Sequence, residues 1–167
     1  MVINIKTMKL NLGAGNDIQK GYINHDISFH REDIDVIFNL NDKIWSEDEE
    51  YVDKDERILQ EHFFEEIRAW DVIEHLEDPI NFMDNCWRLL KSDGILKIKA
   101  CGWNNPNFYV DITHKRPYDI KSFDYFCVDT LIEKEYSYYT DKKWRYLDGF
   151  PKYDRKMNII VEMTPIK

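Results

Sequence analysis

Two glycines separated by one residue, Gly13 and Gly15, constrain the fold of this chain more than any other feature. They follow Lys9-Leu10-Asn11-Leu12, an alternating apolar run typical of a buried strand, and they precede Asn16, which suits a cap or a turn. Because glycine has no Cβ, such a turn lets the backbone approach a ligand closely, but a turn without a ligand uses the same freedom. The pattern therefore predicts a first strand that ends in a tight turn, with a bound ligand as one of two interpretations.

Asp26 strengthens the ligand interpretation, because it ends a second short strand-like run at 22–26. An acid at the end of the second strand can accept hydrogen bonds from both hydroxyls of a ribose. The spacing does not suit a dinucleotide, since Ile18 stands where the third glycine of that fingerprint is expected and Asp26 follows Gly15 by only eleven residues. The connection at 16–21 is also too short for a helix that could hold a pyrophosphate. These features favour a nucleoside without phosphates.

The chain resembles the small class I S-adenosylmethionine-dependent methyltransferases of the type 11 kind in five segments that occur in the same order. The segments are Leu10–Gly15 (LNLGxG in the family), Gly21–Asp26 (GW(I/V)N(V/L)D), Asp71–Pro79 (EHxxDP at its end), Leu89–Leu96 (LLKPGGxL) and Asp111–Arg116 (DPTHxR). The resemblance runs from about residue 8 to the C-terminus, and it departs from the family at Ile112, where the family has proline. It implies S-adenosylmethionine as the cofactor and S-adenosylhomocysteine as its product.

The same resemblance implies a cofactor site at the carboxyl ends of the first strands. Gly13 and Gly15 would let the cofactor approach the backbone, Asp26 would hold its ribose, and Asp71 would lie at its methionine end. The segment 39–42 would lie beside the adenine, although an Asx turn that closes a strand explains it equally well. The complete set of expected cofactor-binding residues is Asn11, Gly13, Ala14, Gly15, Asp26, Leu40, Asn41, Trp70 and Asp71.

Hydrophobic periodicity predicts an α/β fold, a doubly wound, Rossmann-like and mostly parallel sheet that ends in an antiparallel hairpin. Strands are expected at 9–12, 22–26, 34–38, 63–70 and 95–101. A helix is expected from Asp78-Pro79 to Asp93-Gly94, because aspartate and proline suit a helix start and glycine suits its end. A second helix is expected around 119–127, and two long strands at 131–139 and 156–166 with a long loop at 140–154 between them.

A length of 167 residues predicts one domain, with a short lead-in at 1–7 and an acidic surface insertion at about 47–61 that holds a short helix around 54–62. The net charge of −9 disfavours direct binding to nucleic acid. Three cysteines without a C-x-x-C pair disfavour a disulfide scaffold or a cysteine zinc site and favour a reduced, cytoplasmic location. No apolar run is long enough to predict a membrane partner.

Methyl transfer from a sulfonium is a displacement in which the enzyme positions a nucleophile and, where needed, removes its proton. His114 is the candidate base, with Asp111 beside it, and the alternative interpretation is that His114 fixes its loop by hydrogen bonds. Asp111 and Arg116 either pair with each other or hold a polar substrate. Trp103, Asn104 and Arg116 are expected to contact the acceptor. Together with further amide and aromatic side chains at Asn105, Tyr109, Trp144 and Tyr146, they suit O- or N-methylation of a small polar or sugar-like acceptor.

Two alternatives remain from the sequence. The absence of N-terminal helices before the first strand predicts an open site, which a second copy or a partner subunit would cover. The chain could then be an inactive S-adenosylmethionine-binding subunit. Alternatively, the chain carries residues that resemble the metal ligands of small-RNA 2′-O-methyltransferases and ubiquinone-biosynthesis O-methyltransferases, namely Asp71, Glu74, His75 and His114. Two carboxylates and imidazoles suit Mg²⁺, Mn²⁺ or Zn²⁺. The chain would then be a metal-dependent O-methyltransferase acting on nucleic acid. We expect no metal, since Asp71 is one methylene shorter than the resembled glutamate.

Overall fold

The computed structural model describes residues 8–28, 32–42 and 60–167. The predicted lead-in at 1–7 lies outside the described residues. So does most of the predicted acidic insertion at 47–61 and of its short helix at 54–62.

One sheet organises the described part of the chain. Its strands are β1 (Lys9–Leu12), β2 (Ile23–Asp26), β3 (Val36–Ile37), β4 (Phe64–Trp70), β5 (Leu90–Cys101), β6 (Lys143–Tyr146), β7 (Lys152–Tyr153) and β8 (Asn158–Ile166), with helices α1 (Pro79–Leu89) and α2 (Leu131–Tyr136). Short 3₁₀ turns lie at Ile73–His75, Pro106–Tyr109, Ile120–Phe123 and Ser137–Tyr139. The strand order is β3-β2-β1-β4-β5-β8-β6, and β7 also pairs with β8.

The direction of the strands confirms the predicted fold class. Neighbouring strands from β3 to β5 are parallel, whereas β8 runs antiparallel to β5, β6 and β7. The sheet is therefore mostly parallel with antiparallel C-terminal strands. Because the carboxyl ends of β1, β2 and β4 meet at one edge, this edge is where an open α/β sheet binds its ligands.

The core lies along one face of the sheet. Successive side chains in a strand point to opposite faces, so alternation in the sequence decides what each face carries. The buried face holds Leu10, Leu12, Ile67, Ala69, Leu96, Ile98, Ala100, Ile159, Val161 and Met163, and these residues form one cluster with Phe82, Met83 and Cys86 of α1. The opposite face carries charged side chains, among them Lys97 and Lys99 of β5, which explains why these parallel strands alternate instead of being apolar throughout.

Helix α1 begins where it was predicted and ends earlier. The Asp78 carboxylate accepts hydrogen bonds from the backbone N–H groups of Ile80 and Asn81, and Pro79 occupies the first position of the helix. The predicted end at Asp93-Gly94 is wrong, because β5 starts at Leu90 and a register shift in its pairing with β4 accommodates the extra residues. A Cβ at Gly94 would lie 3.0 Å from the carbonyl oxygen of Phe64. A side chain at this position would therefore force the neighbouring backbone to shift by a few tenths of an ångström, so the close approach of two strands favours glycine.

The C-terminal third corrects three further predictions. The predicted strand at 131–139 is helix α2 followed by a 3₁₀ turn, because the Thr130 hydroxyl caps the N–H of Glu133 and the segment is rich in helix formers. The predicted loop at 140–154 contains β6 and β7, and Trp144 of β6 is completely buried. The predicted helix around 119–127 is a 3₁₀ turn with a capping box between Asp119 and Ser122. Among the described residues, no helix has the length and apolar character needed to cross a membrane.

Candidate functional site

Two cavities of opposite character meet at the carboxyl ends of the parallel strands. An apolar cavity of about 260 Å³ is lined by Gly13, His25, Asp26, Ile27, Phe38, Asn39, Leu40, Asp71, Val72, His75 and Leu76. A polar cavity of about 390 Å³ is lined by Asp71, Glu74, His75, Lys99, Cys101, Asn105, Asn107, Val110, Asp111, His114, Lys156 and Asn158. Asp71 and His75 line both, so they mark the junction between the two cavities.

The turn after β1 brings bare backbone to the apolar cavity. Gly13 has a φ of +60°, and a Cβ on it would lie 2.6 Å from Cγ2 of Val72. Its N–H donates to Nδ1 of His25 at 3.2 Å, and the N–H of Ala14 donates to the carbonyl oxygen of the same histidine at 2.8 Å. The turn therefore closes against β2, and glycine is required at position 13 on both steric and conformational grounds.

His25 is a site residue that the sequence analysis missed. Because Nδ1 accepts a hydrogen bond from Gly13, Nε2 carries the proton and donates to the carbonyl oxygen of Phe38 at 2.9 Å. Burial lowers the pKa of His25 to about 4, so the imidazole is neutral at physiological pH. It fixes the glycine turn to the segment after β3. The signal in the sequence was its place beside Asp26 in the strand that follows the turn.

Asp26 lies at the wall of the apolar cavity with its carboxylate fixed by the backbone. Oδ2 accepts from the N–H of Gly15 at 2.7 Å, and Oδ1 accepts from the N–H of Ile27 at 2.7 Å. The structure thus brings together the second glycine and the acid that the sequence placed in register.

A buried polar cluster lies beneath the glycine turn and supports it. Oδ1 of Asn11 accepts from Nη1 of Arg68 at 2.7 Å, and Nδ2 of Asn11 donates to the carbonyl oxygen of Asp17 and to Oδ1 of Asn24. The second Nη of Arg68 lies 2.5 Å from the Asp17 carboxylate. Asn11 is completely buried, so it holds the turn from below and does not line the cavity.

The other predicted cofactor residues divide into two groups. Leu40 and Asp71 line the apolar cavity together with Gly13 and Asp26. Asn41 instead accepts the N–H of Glu77 at 2.7 Å and so fixes its own segment to the loop before α1. Trp70 is 41% exposed, and the guanidinium of Arg68 lies 3.8 Å from the centre of its ring. Four of the predicted residues therefore lie outside the lining of the cavity: Asn41, Trp70, Ala14 and Gly15.

The polar cavity contains a buried carboxyl group. Glu74 is completely buried, and its Oε1 accepts the N–H of Cys101 at 2.8 Å. Its Oε2 has no hydrogen-bond partner among the described residues. Burial raises the pKa of Glu74, because the charged form loses its hydration. Asp71 at the junction has a φ of +56°, and its carboxylate lies 2.5 Å from Nζ of Lys99.

Two histidines and a carboxylate converge at one side of the polar cavity. The Thr113 hydroxyl lies 2.6 Å from Oδ1 of Asp111 and 2.8 Å from Nδ1 of His75. Nδ1 of His114 lies 3.1 Å from the carbonyl oxygen of Phe108, and its Nε2 lies 3.9 Å from Oδ2 of Asp111. His75, Asp111 and His114 each offer one ligand atom within 4.8 Å of the others.

The group of possible metal ligands in the structure differs from the predicted one. The sequence analysis named Asp71, Glu74, His75 and His114, whereas the structure brings Asp111 together with the two histidines. Asp71 pairs with Lys99, and Glu74 binds the backbone of Cys101. The ligand set that the structure offers is thus two imidazoles and one carboxylate, a set that binds divalent transition metals.

Of the predicted acceptor contacts, Asn105 lines the polar cavity, whereas Trp103, Asn104 and Arg116 do not. Trp103 is 54% exposed, Asn104 is exposed, and Nη2 of Arg116 donates to the carbonyl oxygen of Glu77 at 2.7 Å. Trp144 packs in the core and cannot reach an acceptor, so its inclusion among the acceptor contacts was wrong. Besides Asn105, the cavity wall carries three polar side chains that were not predicted: Asn107, Lys156 and Asn158.

Comparison with known proteins shows the fold. No protein-family model matches the sequence, and no curated protein matches it. Among solved structures, a SAM dependent methyltransferase from Archaeoglobus fulgidus has a TM-score of 0.59 at 15% identity over 95% of this chain and 86% of that one. The complex between the Haloferax volcanii Trm112 methyltransferase activator and a methyltransferase gives a TM-score of 0.59 at 9% identity over 95% and 82%.

A third similar structure carries the product of the cofactor. It is the trans-methyltransferase CalH in complex with S-adenosylhomocysteine, with a TM-score of 0.58 at 13% identity over 98% of this chain and 52% of that one. At these identities the similarity is one of fold, and the chain has the Rossmann-like fold of S-adenosylmethionine-dependent methyltransferases.

Proposed function

We propose that this chain is an S-adenosylmethionine-dependent methyltransferase that holds its cofactor in the apolar cavity and its acceptor in the polar cavity. The observation that carries the proposal is the pair of cavities of opposite polarity that meet at Asp71 and His75. Displacement at a sulfonium needs a donor and a nucleophile in two adjoining sites with one shared boundary. In a fold of this kind, that boundary is where the methyl group would pass.

The walls of the apolar cavity match the parts of the cofactor. Phe38, Leu40, Val72 and Leu76 supply apolar surface for the adenine, and the backbone at Gly13 allows close approach. Asp26 is held by two backbone N–H groups in a position to accept hydrogen bonds from the ribose hydroxyls. The methionine end would then lie towards Asp71, and S-adenosylhomocysteine would leave from the same cavity.

The acceptor that fits the polar cavity is a small polar or sugar-like molecule methylated on oxygen or nitrogen. A volume of about 390 Å³ admits a small molecule, and the side-chain amide of Asn107 can both donate to and accept from hydroxyl groups. The amides of Asn105 and Asn158 bind each other and shape the wall. The net charge of −9 argues against a nucleic-acid acceptor. The imidazole–carboxylate cluster that includes His114 and Asp111 supplies a base for the acceptor's proton.

Binding and transfer test the proposal in turn. We expect S-adenosylmethionine and S-adenosylhomocysteine to bind with one site per chain in a calorimetric titration. We then expect transfer of a tritiated methyl group to at least one member of a panel of monosaccharides, nucleotide-sugars, nucleosides and small phenols. Binding without transfer to any panel member or to RNA would favour the inactive cofactor-binding subunit. Absence of binding would contradict the function as a whole.

A partner that covers the site is a further part of the proposal. Large apolar side chains at and near the mouths of the cavities are exposed, including Ile27 (66%), Trp103 (54%) and Ile112 (96%). One similar structure is a complex with a methyltransferase activator. We propose that a second copy of the chain or a partner subunit covers this rim, and light scattering of the purified chain with and without S-adenosylmethionine distinguishes a dimer from a monomer.

The described cysteines are free thiols, which supports the predicted cytoplasmic location.

A metal-dependent O-methyltransferase is the second candidate, because His75, Asp111 and His114 lie close enough to share an ion. An ion there would lower the pKa of an acceptor hydroxyl. The test is calorimetry of the EDTA-treated protein with Mn²⁺, Mg²⁺ and Zn²⁺, with His114→Ala as the control. Stoichiometric binding that this variant loses would support a metal, and absence of binding would remove it.

A further inference from the structure

We propose that His75, held by a hydrogen-bonded relay through Thr113 to Asp111, is the base that takes the acceptor's proton during methyl transfer. The inference rests on the proposed function. It assigns the base to a residue other than His114, the candidate from the sequence.

The position of His75 is the first argument. It lines the apolar cavity and the polar cavity, whereas His114 lines the polar cavity alone. A base acts on the atom that attacks the methyl group, so it must reach the boundary between donor and acceptor. Among the described residues, the histidine at that boundary is His75.

The relay fixes which nitrogen of His75 is available. The carboxylate of Asp111 accepts from the backbone N–H of Thr113 at 2.9 Å and from its hydroxyl at 2.6 Å. An ionised carboxylate cannot donate, so the one hydroxyl proton of Thr113 is directed at Asp111. The same hydroxyl oxygen must then accept a proton from Nδ1 of His75, 2.8 Å away. Nε2 is left with the lone pair that a base requires.

His114 is held in a different way. Its Nδ1 lies within hydrogen-bond distance of the carbonyl oxygen of Phe108, and its ring stacks on the Phe108 ring at 5.3 Å between centroids. Its side chain is only 8% exposed, and the 3.9 Å from Nε2 to Asp111 is too long for a hydrogen bond. These contacts suit the loop-fixing role that the sequence left open. The backbone N–H of Lys115 also donates to the carbonyl oxygen of Glu74 at 2.7 Å, so this loop is attached to the turn that carries His75.

The proton and the electrons balance as follows. The acceptor oxygen or nitrogen forms a bond to the methyl carbon, the sulfur–carbon bond breaks, and its electron pair returns to sulfur as a neutral thioether. The acceptor's proton moves to Nε2 of His75, and the resulting imidazolium is stabilised by Thr113 and by the negative charge of Asp111. The proton is then released to water. Burial lowers the pKa of His75 most, and the charge of His114 lowers it further. Asp111, a hydrogen bond to the backbone of Thr113, and Asp71 raise it.

The relay can be tested without an identified acceptor. In ¹⁵N NMR spectra of the ligand-free protein, we expect His75 above pH 7 to carry its proton on Nδ1. Thr113→Val keeps the shape of the side chain and removes the hydroxyl, so it should abolish this tautomer preference, and Thr113→Ser should restore it. A proton on Nε2 in the wild type, or an unchanged tautomer in Thr113→Val, would overturn the assignment.

A kinetic experiment tests the catalytic role, with the best acceptor of the tritium panel as the probe. His75→Asn should lower the rate by about 100-fold or more, the usual contribution of a general base, and free imidazole should restore part of it. His114→Asn should cost less and show no rescue by imidazole. Equal rates for His75→Asn and the wild type would overturn the assignment. A stoichiometric amount of Zn²⁺ that shifts the ¹⁵N signals of Nε2 in both His75 and His114 would also overturn it, because a bound ion would occupy the lone pair that the base needs. Failure of S-adenosylmethionine to bind the wild type would instead contradict the proposed function, and the NMR result would still decide the relay.

Discussion

The two cavities differ in how the chain holds their walls. Backbone groups and neutral or buried side chains fix the apolar cavity: the turn at Gly13 is bonded to His25, and Asp26 is bonded to the N–H of Gly15. Ionisable side chains from distant segments fix the polar cavity, where Asp111 reaches His75 through one hydroxyl. Because burial lowers the pKa of His25 to about 4, its hydrogen bond to the glycine turn does not change near neutral pH, which suits a constant cofactor. The second titrates, and it suits the proton transfer that varies with the acceptor.

The largest effect is expected from Gly13→Val. A Cβ at this position would lie 2.6 Å from Val72, and the φ of +60° is unfavourable for any branched residue, so cofactor binding should be lost. Calorimetry with S-adenosylhomocysteine measures the loss. Gly149→Val is the matched control, because Gly149 also has a positive φ, +82°, but nothing lies within 4 Å of its Cβ position. Wild-type affinity in Gly13→Val would show that the cavity is not the cofactor site.

Asp26→Ala should weaken S-adenosylmethionine binding by about 2 kcal/mol, the scale of hydrogen bonds to a charged group. Asp111→Ala is the matched control in the other cavity and should leave the cofactor affinity unchanged, because Asp111 lines the polar cavity alone. Equal losses in the two variants would mean that the cavities do not have separate roles.

Glu74→Gln tests the buried carboxyl of the polar cavity through protein stability. Burial raises the pKa of Glu74, so the folded state keeps its proton over a pH range in which the unfolded state has lost it. The contribution of Glu74 to stability is therefore fully present below its unfolded pKa and is lost as the pH rises through its folded pKa. Glutamine removes this dependence. Urea unfolding at pH 5 and pH 8 should show the variant gaining free energy of unfolding relative to the wild type at the higher pH, and a constant difference would contradict the raised pKa.

The smallest effect concerns the acid limb of the rate. Burial, followed by the charge of His114, lowers the pKa of His75, so the acid limb of the rate should lie below the pH at which an ordinary histidine titrates. Because the Thr113 hydroxyl accepts from Nδ1 of His75, it stabilises the imidazolium more than the neutral ring, and Thr113→Val should therefore move the acid limb to lower pH. An acid limb that does not move between the wild type and Thr113→Val would argue against His75 as the titrating base.

The apolar cavity was easier to predict because its determinants are close in sequence. The glycine turn, Asp26 and the start of α1 at Asp78 each depend on contacts within a few residues or between adjacent strands. The polar cavity depends on Thr113 meeting His75, 38 residues away, and no local pattern carries that contact. The segment at 131–139 was misassigned as a strand because the antiparallel partner of β8 cannot be read from local sequence. In the structure that partner is β6. The alternation in β4 and β5 was visible in the sequence and indicated a sheet with one apolar face.

Amide chemical shifts on addition of S-adenosylhomocysteine test the division between the two cavities most directly. We expect the signals of Gly13, Asp26 and Leu40 to shift as the ligand saturates one site, while those of Asn107 and Asn158 change little. Shifts confined to the residues of the polar cavity, or no saturable shifts at all, would contradict the assignment of the apolar cavity to the cofactor.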